Sequence, residues 1–181
     1  MRLFGLSQFT HKAGGATMRS PWRALAFGVV VALVVVLGAD IVGLSAQASD
    51  PRIGTWKLNV TKSKFSPGPP PKALTVKVEP SGQGEKVTTE GVNAEGGNTA
   101  TQYTASFDGK DYPLTGSPNA DTVSLKRIDA RTTVRTDKKG GKVALTLTRA
   151  VSQDGKTMTV TVKGTDAQGQ AVNSVLVFEK Q

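Results

Sequence analysis

The chain has 181 residues, with 23 Lys and Arg against 14 Asp and Glu, one His and no Cys. The lack of Cys excludes a disulfide framework and any Cys-based metal site. The single histidine, His11, lies near the amino terminus. The rest of the chain therefore has no imidazole for acid–base catalysis, zinc binding or a Ser-His-Asp triad. We predict no catalytic residues, no metal site and no cofactor, and we do not expect an enzyme.

The first 48 residues have the features of a secretory signal. Residues 24–39 carry no charge, are rich in Val and Leu, and follow Arg19 and Arg23, which is the pattern of a basic n-region and an apolar h-region. Ala46-Gln47-Ala48 then supplies the small residues that signal peptidase recognises. We predict cleavage after Ala48 and export to the periplasm or the extracellular space.

An uncleaved amino-terminal membrane anchor is the alternative. A spanning helix needs about 20 apolar residues, and Asp40 interrupts the run before that length is reached. Met18 is an alternative start of the leader. Removing residues 1–48 takes away four basic residues and one acidic residue. The remaining chain has 19 basic and 13 acidic residues, a net charge of +6. The length of 49–181 fits a single domain.

Residues 49–181 repeat one pattern, in which apolar residues alternate with Thr, Lys or Ser. Period-2 alternation indicates half-buried strands, and the intervening Gly, Asp, Asn and Pro indicate turns. In chain order, the pattern predicts ten strands: 55–59, 73–79, 86–90, 101–107, 111–115, 122–128, 132–136, 143–151, 157–163 and 172–180.

Short Gly-containing turns would join neighbouring strands antiparallel. No apolar residues recur at helical spacing over a helix length, and ten strands in up-and-down order would expose edges unless the sheet closes. The sequence therefore predicts an all-β fold, an antiparallel up-and-down barrel or a closed sandwich. Residues 67–71, Pro-Gly-Pro-Pro-Pro, predict a stiff connector between the first two strands.

The first strand carries a motif with a family resemblance. Gly54-Thr55-Trp56-Lys57-Leu58 resembles the G-x-W signature that opens lipocalins and fatty-acid-binding proteins, together called calycins. The chain from residue 49 also looks like small secreted lipocalin-like proteins of environmental bacteria. The resemblance implies a barrel that holds a small ligand, with Trp56 closing its base. In calycins an Arg from a late strand packs across this Trp. The last strand here has none, which leaves Arg149, Lys180 or no partner.

Several residues are candidates for the interior of such a barrel. Trp56, Tyr103 and Phe107 are the expected lining of a ligand site. Arg127 and Arg149 each continue an apolar strand face, where a guanidinium group could bind the anionic end of a ligand. The alternative is that both arginines lie at strand ends with their guanidinium groups in solvent.

A second candidate site is the basic segment 126–142, with seven basic and two acidic residues. Arg131, Thr133 and Arg135 share one face of a strand, and Lys138 and Lys139 follow. We predict that Arg131, Arg135, Lys138 and Lys139 bind an anionic surface, either envelope polymer or lipid head groups. Nucleic acid is not expected, because the segment has no aromatic residue to stack a base. The alternative is a solvated hairpin without a partner.

Two functions follow. The first is a monomeric binding module that holds a small hydrophobic or amphipathic anion inside the barrel. The second is a structural or interaction protein of the cell envelope, with an interior filled by side chains. A cavity of roughly 300 Å³ or more would favour the first, and a filled core the second.

Overall fold

The computed structural model describes residues 50–181, and the predicted signal peptide lies outside them. Within this part of the chain there are ten β-strands and one short 3-10 helix. The strands are β1 Gly54–Leu58, β2 Ala73–Ser81, β3 Gly84–Val92, β4 Asn98–Ser106, β5 Tyr112–Thr115, β6 Thr122–Arg127, β7 Thr132–Lys139, β8 Lys142–Val151, β9 Thr157–Thr165 and β10 Ala171–Lys180.

Every strand pairs antiparallel with its neighbour in the sequence, and β1 pairs with β10, so the sheet closes into a barrel. The predicted all-β, up-and-down barrel of ten strands is confirmed, and the closed-sandwich alternative is wrong. Within residues 50–181 no helix is long and apolar enough to cross a membrane.

The two ends of the barrel differ. Residues 50–53 lie at one end, together with the turns β2–β3, β4–β5, β6–β7 and β8–β9; we call this the Trp56 end. The long β1–β2 connector and the remaining turns lie at the other, which we call the connector end. Inward-facing apolar residues form a continuous core between the two ends, as period-2 alternation requires.

The connector takes a course that the sequence did not predict. After the 3-10 helix Val60–Lys62, it runs back along β10, and the backbone amide and carbonyl groups of Lys64 and Val175 hydrogen-bond to each other. The Asn173 amide also donates to the Ser66 carbonyl oxygen at 2.9 Å. One edge of β10 is thus paired with the short β1 over its carboxyl-terminal part and with the connector over its amino-terminal part. Only the Pro-rich part beyond Ser66 leaves the sheet, as the sequence predicted.

The pairing is uneven around the barrel. The ladders β2–β3, β3–β4 and β9–β10 each join nine residue pairs. In contrast, β5 has four residues, and only two pairs join it to β4 and two to β6. The barrel therefore has one weakly paired strand, and we call the region around β5 the seam.

Candidate functional site

The interior of the barrel contains a cluster of charged and hydroxyl side chains. Glu85, Thr133, Asp137 and Arg149 are buried together with Tyr103. Arg135 shares the inward face of β7 with Thr133 and Asp137, and its side chain is 15% exposed. We call these six residues the interior polar cluster.

Glu85 is the centre of this cluster. Its Oε1 accepts hydrogen bonds from the Tyr103 hydroxyl, at 2.8 Å, and from Nη2 of Arg149. The Nε of Arg149 donates to Thr133 Oγ1 at 3.3 Å. Burial acts against the charge on Arg149, but the neighbouring Tyr103 and Glu85 oxygens raise its pKa above the ordinary value. Arg149 is therefore a permanently charged group inside the barrel.

A second ion pair is formed within β7. Nε and Nη2 of Arg135 donate to the two carboxylate oxygens of Asp137 at 2.5 and 2.6 Å. The guanidinium carbon of Arg135 also lies 5.0 Å from the centroid of the Tyr103 ring, within cation–π range. Arg135 and Arg149 thus each have a carboxylate partner, and Nη1 of the buried Arg52 also lies 3.9 Å from Glu85 Oε2.

A cavity of about 150 Å³ lies beside these two arginines. Arg135 and Arg149 line it, as do Thr89 and Thr101, which are paired across β3 and β4. The rest of its wall is apolar and consists of Leu74, Val76, Val87, Leu147, Met158, Val160, Leu176 and Phe178. We call this space the interior cavity. Its volume is below the roughly 300 Å³ that we set as favouring a ligand-binding interior.

Trp56 does not line the interior cavity. Its side chain is fully buried, and its indole N–H donates to the Arg52 carbonyl oxygen at 2.9 Å. The Nζ of Lys180 lies 5.1 Å from the ring centroid and donates to the Pro51 carbonyl oxygen. Of the three alternatives left open by the sequence, Lys180 is the partner of Trp56, and the pair closes this end of the core.

Phe107 and Arg127 also lie at the Trp56 end, where they line an open depression. The guanidinium carbons of Arg52 and Arg127 each lie 4.7 Å from the Phe107 ring centroid. Asp50 accepts hydrogen bonds from both arginines. Partial burial acts to raise the pKa of Asp50, but hydrogen bonds from Arg52 and the charges of Arg52 and Arg127 hold it below the ordinary value.

The five predicted ligand residues are therefore not brought together. Arg149 lines the interior cavity, Tyr103 orients Glu85 beside it, and the other three belong to the Trp56 end. The expectation that Trp56 and Phe107 line the same site as Arg149 is wrong. The strand-end alternative is correct for Arg127, whose side chain is 43% exposed, and wrong for Arg149, which is 7% exposed.

The predicted basic strip is not one exposed face. Arg135 points inward, because the face it shares with Thr133 is the core side of β7. Arg131 lies at the Trp56 end, where its Nη1 donates to the carbonyl oxygens of Ser152 and Gln153. Lys138 forms a 2.7 Å ion pair with Asp111, and Lys139 is exposed at the connector end. The continuous strip predicted from these four residues is wrong, since they occupy three different places.

Sequence reasoning missed Glu85, Asp137 and Arg52. The predicted strand 86–90 began one residue after Glu85, and the predicted strand 132–136 ended one residue before Asp137, so neither acid was placed on a strand face. The available signal was spacing: Glu85 precedes Val87 by two residues, and Asp137 follows Arg135 by two. Period-2 alternation puts both acids on the inward face.

Within residues 50–181 no group of His, Cys, Asp and Glu is arranged to hold a metal ion. The sequence matches no family model and no curated protein. Among solved structures, the chain is similar to zebrafish ileal bile acid-binding protein complexed with cholic acid. The TM-score is 0.46 and the sequence identity 15%, over 72% of this chain and 99% of that chain.

Proposed function

We propose that this chain is an exported, monomeric binding protein that holds one small, largely apolar molecule in the interior cavity. The observation that carries the proposal is the cavity itself, whose lining combines eight apolar residues with Arg135, Arg149 and two threonines. Binding sites for small molecules combine a mostly apolar lining with a few fixed polar groups.

The interior polar cluster supports this proposal because it holds its donors in fixed positions. Arg135 and Arg149 are each bound by two side-chain hydrogen bonds. A donor that is already immobilised loses little further conformational entropy when a ligand binds. Replacing a buried ion pair by apolar residues of similar volume is often neutral or stabilising, so packing alone gives no reason for these charged groups.

A cavity-filling variant tests the binding site. Leu176 lines the cavity, and its neighbour Val177 lies on the outer side of β10, paired with Thr159. Ligand-observed NMR with a set of molecules of about six to nine non-hydrogen atoms should detect binders to the wild-type chain. Leu176→Phe should abolish that binding, and Val177→Phe should retain it. Binding that survives Leu176→Phe, or no binding by any molecule, would contradict the proposal.

Export is the second part of the proposal, supported by the apolar run of 24–39 and the Ala46-Gln47-Ala48 site. Amino-terminal sequencing of the protein recovered outside the cytoplasm should begin at Ser49. A protein that stays in the membrane with residues 24–39 attached would instead be an anchored one.

The small cavity also favours a second candidate, the envelope interaction protein with a filled core. About 150 Å³ is a modest void for a barrel of ten strands. In that case none of the small molecules should bind, and the chain should instead be retained on anionic vesicles at low salt. Retention should then depend on exposed lysines such as Lys139 and Lys142 and decrease as salt screens them.

A further inference from the structure

The two arginines that line the interior cavity each have a carboxylate partner, and Arg52, which lies 3.9 Å from Glu85 but does not line the cavity, is itself paired with Asp50. Arg149 is paired with Glu85 and Arg135 with Asp137, and the four groups sum to zero. From this balance we propose that the cavity takes an uncharged molecule of about the size of benzene that carries a hydrogen-bond acceptor, such as an amide or a ketone, and that it rejects carboxylates. The inference rests on the proposed function and replaces the anionic ligand that the sequence led us to expect.

The two arginines have donors to offer such an acceptor. The side-chain hydrogen bonds of Arg135 and of Arg149 use Nε and Nη2 only. The Nη1 group of each arginine takes part in none of these four hydrogen bonds, and both residues line the interior cavity. One carbonyl oxygen beside the guanidinium groups would accept from them without displacing Glu85 or Asp137.

An anionic ligand would gain little net electrostatic attraction from these ion pairs. Its attraction to each guanidinium group would be offset by repulsion from the carboxylate already bound to that group, because the charges lie within a few ångströms of one another. It would also have to leave water, at a cost of several kcal/mol for a charged group. For a neutral amide or ketone that gains a hydrogen bond, transfer from water into the cavity costs far less free energy.

The hydroxyl groups of the cavity agree with an uncharged ligand. Thr89 and Thr101 are paired residues of β3 and β4, and both line the cavity. A hydroxyl can donate or accept as the ligand requires. These two residues add polar contacts without adding charge, and they lie among apolar residues that suit a ring or a short alkyl chain.

The volume sets the size of the ligand. A cavity of 150 Å³ in another protein binds benzene, and the interior cavity has about the same volume. A long-chain lipid would not fit without displacement of core side chains, and close-packed cores resist such displacement.

Benzamide and benzoate provide the test, because they have nearly the same shape and differ in charge. We expect the full chain to bind benzamide at least about tenfold more tightly than benzoate at neutral pH, as measured by titration calorimetry or protein-observed NMR. Toluene, which has no acceptor, should bind more weakly than benzamide. Equal or tighter binding of benzoate would overturn the inference and leave the proposed function standing.

A pair of variants tests the hydroxyl contacts of the cavity without removing a charge. Thr89→Val and Thr101→Val keep the shape of each side chain and remove its hydroxyl. Each variant should weaken the binding of benzamide by about three- to tenfold. The binding of toluene should be unchanged or slightly tighter. If the binding of both molecules changes equally, Thr89 and Thr101 do not contact the polar group of the ligand, and that part of the inference is wrong. If no probe binds the wild-type chain at all, the proposed function itself fails.

Discussion

Tyr103 combines complete burial with a hydrogen bond to a buried carboxylate. Burial, with the negative charge of Glu85 beside it, raises the pKa of Tyr103 to about 12. An unfolded Tyr has a pKa of about 10, so between about pH 10 and 12 the unfolded chain loses a proton that the folded chain keeps. The contribution of Tyr103 to stability is complete below pH 10 and is lost as the pH rises to about 12.

Alkaline unfolding tests this assignment. The wild-type chain should lose about 2–3 kcal/mol of unfolding free energy between pH 10 and 12 through this group. In Tyr103→Phe that part of the loss should be absent, although the variant starts about 1 kcal/mol less stable because one hydrogen bond to Glu85 is gone. Parallel pH dependences of the denaturant midpoints in the two proteins would contradict the assignment.

Trp56 is among the largest side chains that are fully buried within residues 50–181. It is fully buried and hydrogen-bonded to the Arg52 carbonyl oxygen. Trp56→Ala should lower the free energy of unfolding by about 3–5 kcal/mol. That is a large part of the unfolding free energy of about 5–15 kcal/mol that is typical of a domain. In a chain carrying Trp22→Phe, the remaining indole should emit at short wavelength. A water-exposed emission together with a wild-type denaturant midpoint would refute the core assignment.

At the scale of the strand, Gly164 marks one of the close approaches between neighbouring backbones. Its φ is +143°, and a Cβ at this position would lie 2.0 Å from the Ala144 carbonyl oxygen on β8. A side chain here meets both an unfavourable backbone conformation and a neighbouring strand that must move. We therefore expect the β8–β9 ladder to require glycine at this position.

Gly164→Ala should lower the unfolding free energy by about 2–5 kcal/mol, from positive φ and overpacking together. Gly169→Ala is the matched control, because its φ is +78° and nothing lies within 4 Å of the added Cβ. The control should lose only about 1–2 kcal/mol. Similar losses in the two variants would show that backbone conformation, rather than close approach, determines the cost.

At the scale of the whole molecule, all ten strands and the closure of the barrel lie within residues 54–180. A polypeptide of residues 49–181 should therefore fold independently. Its far-ultraviolet circular dichroism should show a β spectrum with little helix, and it should unfold in one cooperative transition. A disordered spectrum would mean that the barrel needs the residues before Ser49 in order to fold.

The sequence predicted the barrel well and the site poorly, for a physical reason. Alternation and turn residues are local, so strands such as Thr157–Thr165 could be identified from a few neighbours in the chain. The partner of an inward arginine is set by closure of the sheet: Arg149 and Glu85 are 64 residues apart and meet across the barrel. No local pattern contains that contact, and the predicted strands stopped just short of both Glu85 and Asp137.

The seam at β5 has a consequence for kinetics. Two residue pairs on each side hold β5 in the sheet, so detaching it breaks far fewer contacts than global unfolding does. Its amide protons should exchange through brief local openings, whereas those of β3 and β9 should exchange only when the whole molecule unfolds. Tyr103 is paired with Leu114 of β5, so each opening would also admit solvent next to the interior polar cluster.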